Sequence, residues 1–143
     1  MNKKIEVQAH GKVILIGEHS VVYGYDALAL PIQALNITTT VEETDGPTWM
    51  DTTHYHGAFF DAPAEYDGIK YIVKTLLERV ENAPNLKITY TGEIPMERGF
   101  GSSAVVALGT TKAVSQFLGL TLSEAEIMEI TNHAEMINHG KAS

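Results

Sequence analysis

The stretch "NLKITYTGEIPMERGFGSSAVVALGTTKAVSQFLG", residues 85–119, constrains the fold more than any other part of the chain. Leu86, Ile88 and Tyr90 alternate with polar residues, as on a strand with one buried face. A glycine-rich loop follows, and from Ser102 the chain reads as a helix that is apolar on most sides. Such a helix belongs at the centre of a core, because no broad face of it suits water. A strand, a tight loop and a central helix must therefore stack, and the other elements must cover them.

Those other elements are partly readable. Ile5 to Gly17 contains "KVILIG", a β-branched run closed by glycine, which predicts a buried strand. "ALALPIQ" and "LNITTTVEE" predict one or two more strands, with Ile37, Thr39 and Val41 alternating. Pro31 interrupts them and argues for an edge position or a bulge, since it has no N–H for a ladder. "TDGPTW" is turn chemistry, punctuated by Gly46 and Pro47. "HYHGAFFDAPAEYDG" carries no clear period.

From about Asp67 to Glu81, the residues Ile69, Ile72, Val73, Leu76, Leu77 and Val80 follow helical spacing. Gly119 stands where a helix C-terminal cap belongs. Ser123 with Glu126 forms a capping box, preceded by Leu122 as a staple, and opens a last helix through about Asn138. The order of strands, helix, strand and two helices specifies an α+β domain rather than alternating βαβ units.

Composition narrows the function. The 143 residues suffice for one domain, or a large piece of one, with a real core. A net charge of -8 argues against a general nucleic-acid binder, which needs clustered Lys and Arg. Local anion binding survives that argument, because backbone N–H groups can replace side-chain cations. The absence of cysteine excludes disulfides and thiolate metal sites and fits a reducing compartment. "MNKKIEVQAHGK" lacks the apolar region of a secretory signal, and no apolar run approaches the ~20 residues of a membrane span. A cytoplasmic domain without membrane attachment is the expectation.

The glycine loop admits several readings. Gly99, Gly101 and Ala104 fit G-x-G-x-x-A, but a dinucleotide fingerprint needs a second strand and an acidic residue about 20 positions on. A second helix follows instead, and Glu124 falls at its start. A Walker A loop fails because no Lys precedes Ser102 or Ser103. What remains is an anion site, in which glycines admit a ligand and two serines open a helix whose free N–H groups favour negative charge. A ligand-free turn with Ser as N-cap explains the same residues. Pro95 at the entry and the paired serines favour a phosphate.

Two other polar clusters stand out. "GKVILIGEHSVVYG" puts Lys12 at the start of an apolar run and Glu18-His19 beyond its end. On spacing alone, a Lys snorkelling at a sheet edge and an exposed turn explain them better than a cleft. In the last helix Glu135 and His139 share a face by their i, i+4 spacing. That face is either solvated or offers Mg²⁺ a carboxylate beside substrate phosphates. His133 is one step off it, which argues against a paired-His zinc site. His54 and His56 read as surface residues, and His10 has no evident role.

Together three segments resemble the GHMP kinase superfamily and, within it, the mevalonate kinases. "GKVILIGEHSVVYG" is similar to the N-terminal motif, "IPMERGFGSSAVVALG" to the P-x-x-x-G-L-G-S-S-A phosphate loop, and "EMINHGKAS" to the segment H-G-x-x-S-G-x-D. Phe100 stands where the family usually has Leu. The resemblance implies an α+β fold of the ribosomal protein S5 domain 2-like kind, a mixed or antiparallel sheet packed on helices. It also implies that residues 1–143 are the ATP- and substrate-binding N-terminal domain, without the C-terminal ferredoxin-like domain.

By the same resemblance, Lys12 is catalytic, and Glu18, His19 and Ser143 bind substrate. Gly99, Gly101, Ser102, Ser103 and Ala104 hold the ATP phosphates, and Ser103 with Glu135 holds Mg²⁺. The implied reaction is ATP-dependent phosphorylation of the 5-hydroxyl of (R)-mevalonate, a step of isoprenoid biosynthesis. Another GHMP small-molecule kinase, such as phosphomevalonate kinase, or a non-catalytic nucleotide-binding fragment, are the alternatives. The pattern places a catalytic Asp just past Ser143, so a polypeptide ending there is expected to be inactive alone. The expected partners are ATP and mevalonate, not nucleic acid or membrane. A homodimer is the expected parent assembly, and the half alone is expected to self-associate.

Overall fold

The computed structural model describes residues 4–16, 20–23, 32–92 and 102–141. The predicted alternation on two strands aligns with the N-terminal strand into rows across one sheet. The strands are β1 (Lys4–Ile16), β2 (Ser20–Tyr23), β3 (Ile32–Glu43), β4 (Trp49–Asp51), β5 (His56–Ala58) and β6 (Leu86–Gly92). Register places Ile5 opposite Val41, Val41 opposite Ile88 and Ile88 opposite Met50. The next row is Val7, Thr39 and Tyr90, and the one after is Ala9, Ile37 and Gly92. Because side chains alternate with period two, these rows share one face, and that face is covered. On the opposite face Lys4 stands across from Glu42 and Glu42 across from Lys87, a cross-strand alternation of charge that suits water.

The sheet runs β2-β1-β3-β6-β4-β5, antiparallel throughout except for the parallel pair β4 and β6. It is therefore mixed, as the α+β reading expects. Among the described residues three α-helices accompany the sheet, α1 (Asp67–Leu77), α2 (Ser102–Phe117) and α3 (Glu124–Lys141). The helix α2 packs on β1 and β3 and also touches both other helices, which is the central place its apolar surface requires. Ile69, Ile72, Val73 and Leu76 of α1 and Ile130 and Ala134 of α3 close the same core.

Local signals explain the helix ends. Gly119 has φ 75, Leu120 N–H donates to Ser115 C=O (2.8 Å) and Gly119 N–H to Gln116 C=O (3.2 Å). This is a Schellman cap, and its left-handed residue favours glycine. The capping box forms as well, with Glu126 N–H donating to Ser123 Oγ (3.1 Å) and Ser123 N–H to Glu126 Oε1 (3.2 Å). Arg79 Nη1 donates to Glu126 Oε2 (3.0 Å), which ties the end of α1 to the start of α3. Leu122 packs against the main core, as a staple residue should.

Three expectations change. The helix α1 stops at Leu77 rather than near Glu81, because the turn bonds Arg79 N–H to Leu76 C=O (3.1 Å) and Val80 N–H to Leu77 C=O (3.2 Å) lead into Asn82 at φ 54. Asn accepts that left-handed conformation, and Pro84 bars a return to helix. The described part of the second strand region is β3, which lies between β1 and β6 rather than at an edge. Pro31, and with it the bulge alternative, lies outside the described residues. The unreadable "HYHGAFFDAPAEYDG" becomes β5, two 3₁₀ turns (Phe59–Asp61 and Ala64–Tyr66) and the start of α1. Its short elements answer to local contacts. Thr52 Oγ1 accepts from His54 N–H (3.0 Å) and Tyr55 N–H (2.9 Å), Tyr55 O–H donates to Ala58 C=O (2.8 Å), and exposed His56 pairs with Asp51.

Two outcomes follow from the caps. Gly119→Ala should lower stability by about 1–2 kcal/mol in urea unfolding, while Gly119→Asn should cost less. The Ser123 backbone N–H, then Arg79, hold the Glu126 carboxyl below its usual range, so its contribution is present at neutral pH and is lost as pH falls through that lowered value. The Tm gap between wild type and Glu126→Ala should therefore be widest near pH 7 and narrow below about pH 4.

Candidate functional site

The site begins where β6 ends. Val105 packs with Ala9 and Ile37, and Gly109 lies against Thr39, so α2 runs in the direction of β3 and opposite to β6. The chain thus leaves the sheet at Gly92, passes through residues 93–101 and returns over it as α2. Ser102, Ser103 and Ala104 are the first three residues of that helix. Its first N–H groups have no partner within the helix, and the macrodipole adds positive potential there. This is the physical basis for anion binding that the serines suggested.

Lys12 lies in β1 opposite Ala34, three residues past Ala9 and so about 10 Å further along the strand. Since β1 and β6 both run antiparallel to β3, that is the direction in which β6 reaches its own end. Lys12 and the start of α2 therefore occupy the same end of the sheet at the level of the backbone. Glu135 lies in the second half of α3, the helix that packs on α2. The six residues Leu118–Ser123 turn the chain, and α3 packs back along α2. With helices of 16 and 18 residues, late positions of α3 come level with early turns of α2. Glu135 is half-buried. Glu18, His19, Gly99, Gly101 and Ser143 lie outside the described residues.

The remaining histidine of interest has a different job. His133 stacks on Tyr71 with ring centroids 4.3 Å apart and planes at 21°. With Arg79 on Glu126, this contact shows α1 and α3 to be antiparallel. Among the described residues no group of three His, Asp or Glu side chains converges as a metal centre. The donors inferred for Mg²⁺, a Ser hydroxyl and the Glu135 carboxylate, are hard oxygen ligands, the chemistry that ion takes alongside substrate phosphates.

Sequence reading missed the residues that seat α2. Tyr90 is buried, and its O–H donates to Thr110 Oγ1 (2.6 Å), which in turn donates to Val106 C=O (2.7 Å). Burial pushes the Tyr90 phenol well above its ordinary value, so it stays protonated and keeps donating. Beside it the buried Thr39 hydroxyl has no hydrogen-bond partner and faces Gly109. The signal available was a polar residue at a buried strand position, at both Thr39 and Tyr90, facing a helix with Gly109 and Thr110.

With this geometry in view, comparison with known proteins is direct. Residues 67–143 match the family described as GHMP kinases N terminal domain. The chain belongs to the GHMP kinase family. The mevalonate kinase of Pyrococcus horikoshii is 31% identical over 159 aligned positions, which take in 100% of this chain and 48% of that protein. The crystal structure of mevalonate kinase from methicillin-resistant Staphylococcus aureus is 34% identical, with TM-score 0.59, over 96% of this chain and 46% of that one. For the Methanococcus jannaschii mevalonate kinase the figures are 28% and 0.62, over 99% and 49%. The chain spans about half the length of the curated relatives it matches. Among the described residues no helix is long and apolar enough to cross a membrane.

The seating of α2 can be tested directly. A Cβ on Gly109 would lie 2.8 Å from Thr39 Oγ1 and 3.4 Å from Ala9 Cβ. The gain in helix propensity of about 1 kcal/mol for Gly109→Ala should be outweighed by overpacking of about 1–3 kcal/mol. The expected result is a net loss of stability in denaturant unfolding, relieved when Thr39→Ala is combined with it.

Proposed function

We propose that this domain serves the transfer of the γ-phosphoryl group of ATP to the 5-hydroxyl of (R)-mevalonate, giving 5-phosphomevalonate and ADP. The observation that carries the reading is the passage from β6 through the glycine loop into α2, whose first residues are Ser102 and Ser103. The names of the relatives that align along nearly the whole chain support mevalonate as the acceptor.

In this reading the backbone N–H groups at Gly99, Gly101 and the start of α2 hold the triphosphate, with Ala104 small enough to let it approach. In phosphoryl transfer, positioning and charge stabilisation supply most of the rate. Ser103 and Glu135 are the residues that would hold Mg²⁺, which supplies neutralising charge at the phosphate oxygens when bound. Lys12 steadies the reacting hydroxyl and holds a neighbouring carboxylate ionised. Glu18, His19 and Ser143 orient mevalonate.

Thermal unfolding with ligands tests this on the protein itself. ATP with Mg²⁺, at about 100 times its Kd, should raise Tm on the order of 5 °C, and NAD should leave it unchanged. Mevalonate should raise Tm further, whereas 5-phosphomevalonate should not. A shift with NAD alone would overturn the kinase reading, and a shift with 5-phosphomevalonate in place of mevalonate would reassign the acceptor.

A further inference from the structure

The surface of α2 that meets the sheet is made of small or apolar groups, among them Val105, Gly109 and Ala113. Contacts of that kind restrict the helix by shape, but they are non-directional and do not aim individual polar groups. An anion site at a helix start needs its polar groups aimed, since N–H donors serve only within a narrow range of distance and angle.

The directional link is the bond from Tyr90 O–H to Thr110 Oγ1 (2.6 Å), continued from Thr110 to Val106 C=O (2.7 Å). Its place in the chain matters. Tyr90 stands two residues before Gly92, where β6 runs into the glycine loop, and Thr110 stands about two turns into the helix that the loop enters. One buried hydrogen bond therefore joins the two arms between which the loop is strung. We infer that Tyr90 and Thr110 are positioning residues of the phosphate site, holding the start of α2 at a set distance from the end of β6. This rests on the loop being the ATP phosphate site, as proposed above.

Titration calorimetry with ATP and Mg²⁺ on four variants tests it. Tyr90→Phe and Thr110→Val each remove a hydroxyl and should weaken Kd roughly five- to ten-fold. Thr110→Ser keeps the hydroxyl and should bind like wild type. Ile72→Val, in the core of α1, should lower Tm and leave Kd unchanged. Wild-type affinity in folded Tyr90→Phe and Thr110→Val overturns the inference, as does an equal loss in Ile72→Val. If Tyr90→Phe does not fold, Thr110→Val against Thr110→Ser decides alone. A wild-type protein that takes no ATP overturns the phosphate-site reading, and the inference with it.

Discussion

The close approach of α2 to β3 is the constraint on which the rest of this domain depends. Gly109 has only hydrogen where any other residue would meet the Thr39 hydroxyl, so the helix can lie low on the sheet. A helix apolar on most of its surface, lying that close, still has sides to hide. The helices α1 and α3 hide them, with Ile72, Val73 and Leu76 from one and Ile130 and Ala134 from the other. The contacts between those two helices, Tyr71 on His133 and Arg79 on Glu126, fix their antiparallel course. The order of dependence runs from a missing side chain to the layout of a layer.

The same layout sets the chemistry. The protein as a whole is acidic, with a net charge of -8, and would repel a polyphosphate at long range. A helix start contributes potential of the opposite sign, because it comes from oriented peptide groups instead of side-chain cations. Such a site depends on geometry rather than on composition. An Arg cluster can move and still attract an anion. A helix start must be aimed, and the buried bond between Tyr90 and Thr110 ties α2 to β6 at a distance from that start.

Much of the fold was legible, and the reasons can be read residue by residue. Ile69 to Leu76 announced α1 by their period, and Ser123, Glu126 and Gly119 marked helix ends by cap chemistry that acts within a few residues. Leu86, Ile88 and Tyr90 announced β6. The strands β4 and β5, three residues each, are too short to show a period, and Trp49–Asp51 owes its conformation to β6 alongside it. The end of α1 was overrun because Val80 continued the apolar spacing, while the turn at Asn82 governed the backbone. The interior place of β3 is not legible from Pro31, since neighbouring strands are chosen by residues far along the chain.

The sequence by itself determined the elements with a local cause, together with the glycines and serines that make the loop a candidate for phosphate. Those depend on backbone propensity, capping and spacing within a few residues, which need no knowledge of distant partners. Only the tertiary structure decided the strand order, the parallel pairing of β4 with β6, and the contacts that hold α2 against the sheet. The reason is that pairing joins residues far apart in the chain. Thr39 meets Gly109, and Tyr90 meets Thr110, only after β3, β6 and α2 have found one another. No period in the sequence carries that information, and it is that meeting which brings Lys12 and the start of α2 to one end of the sheet.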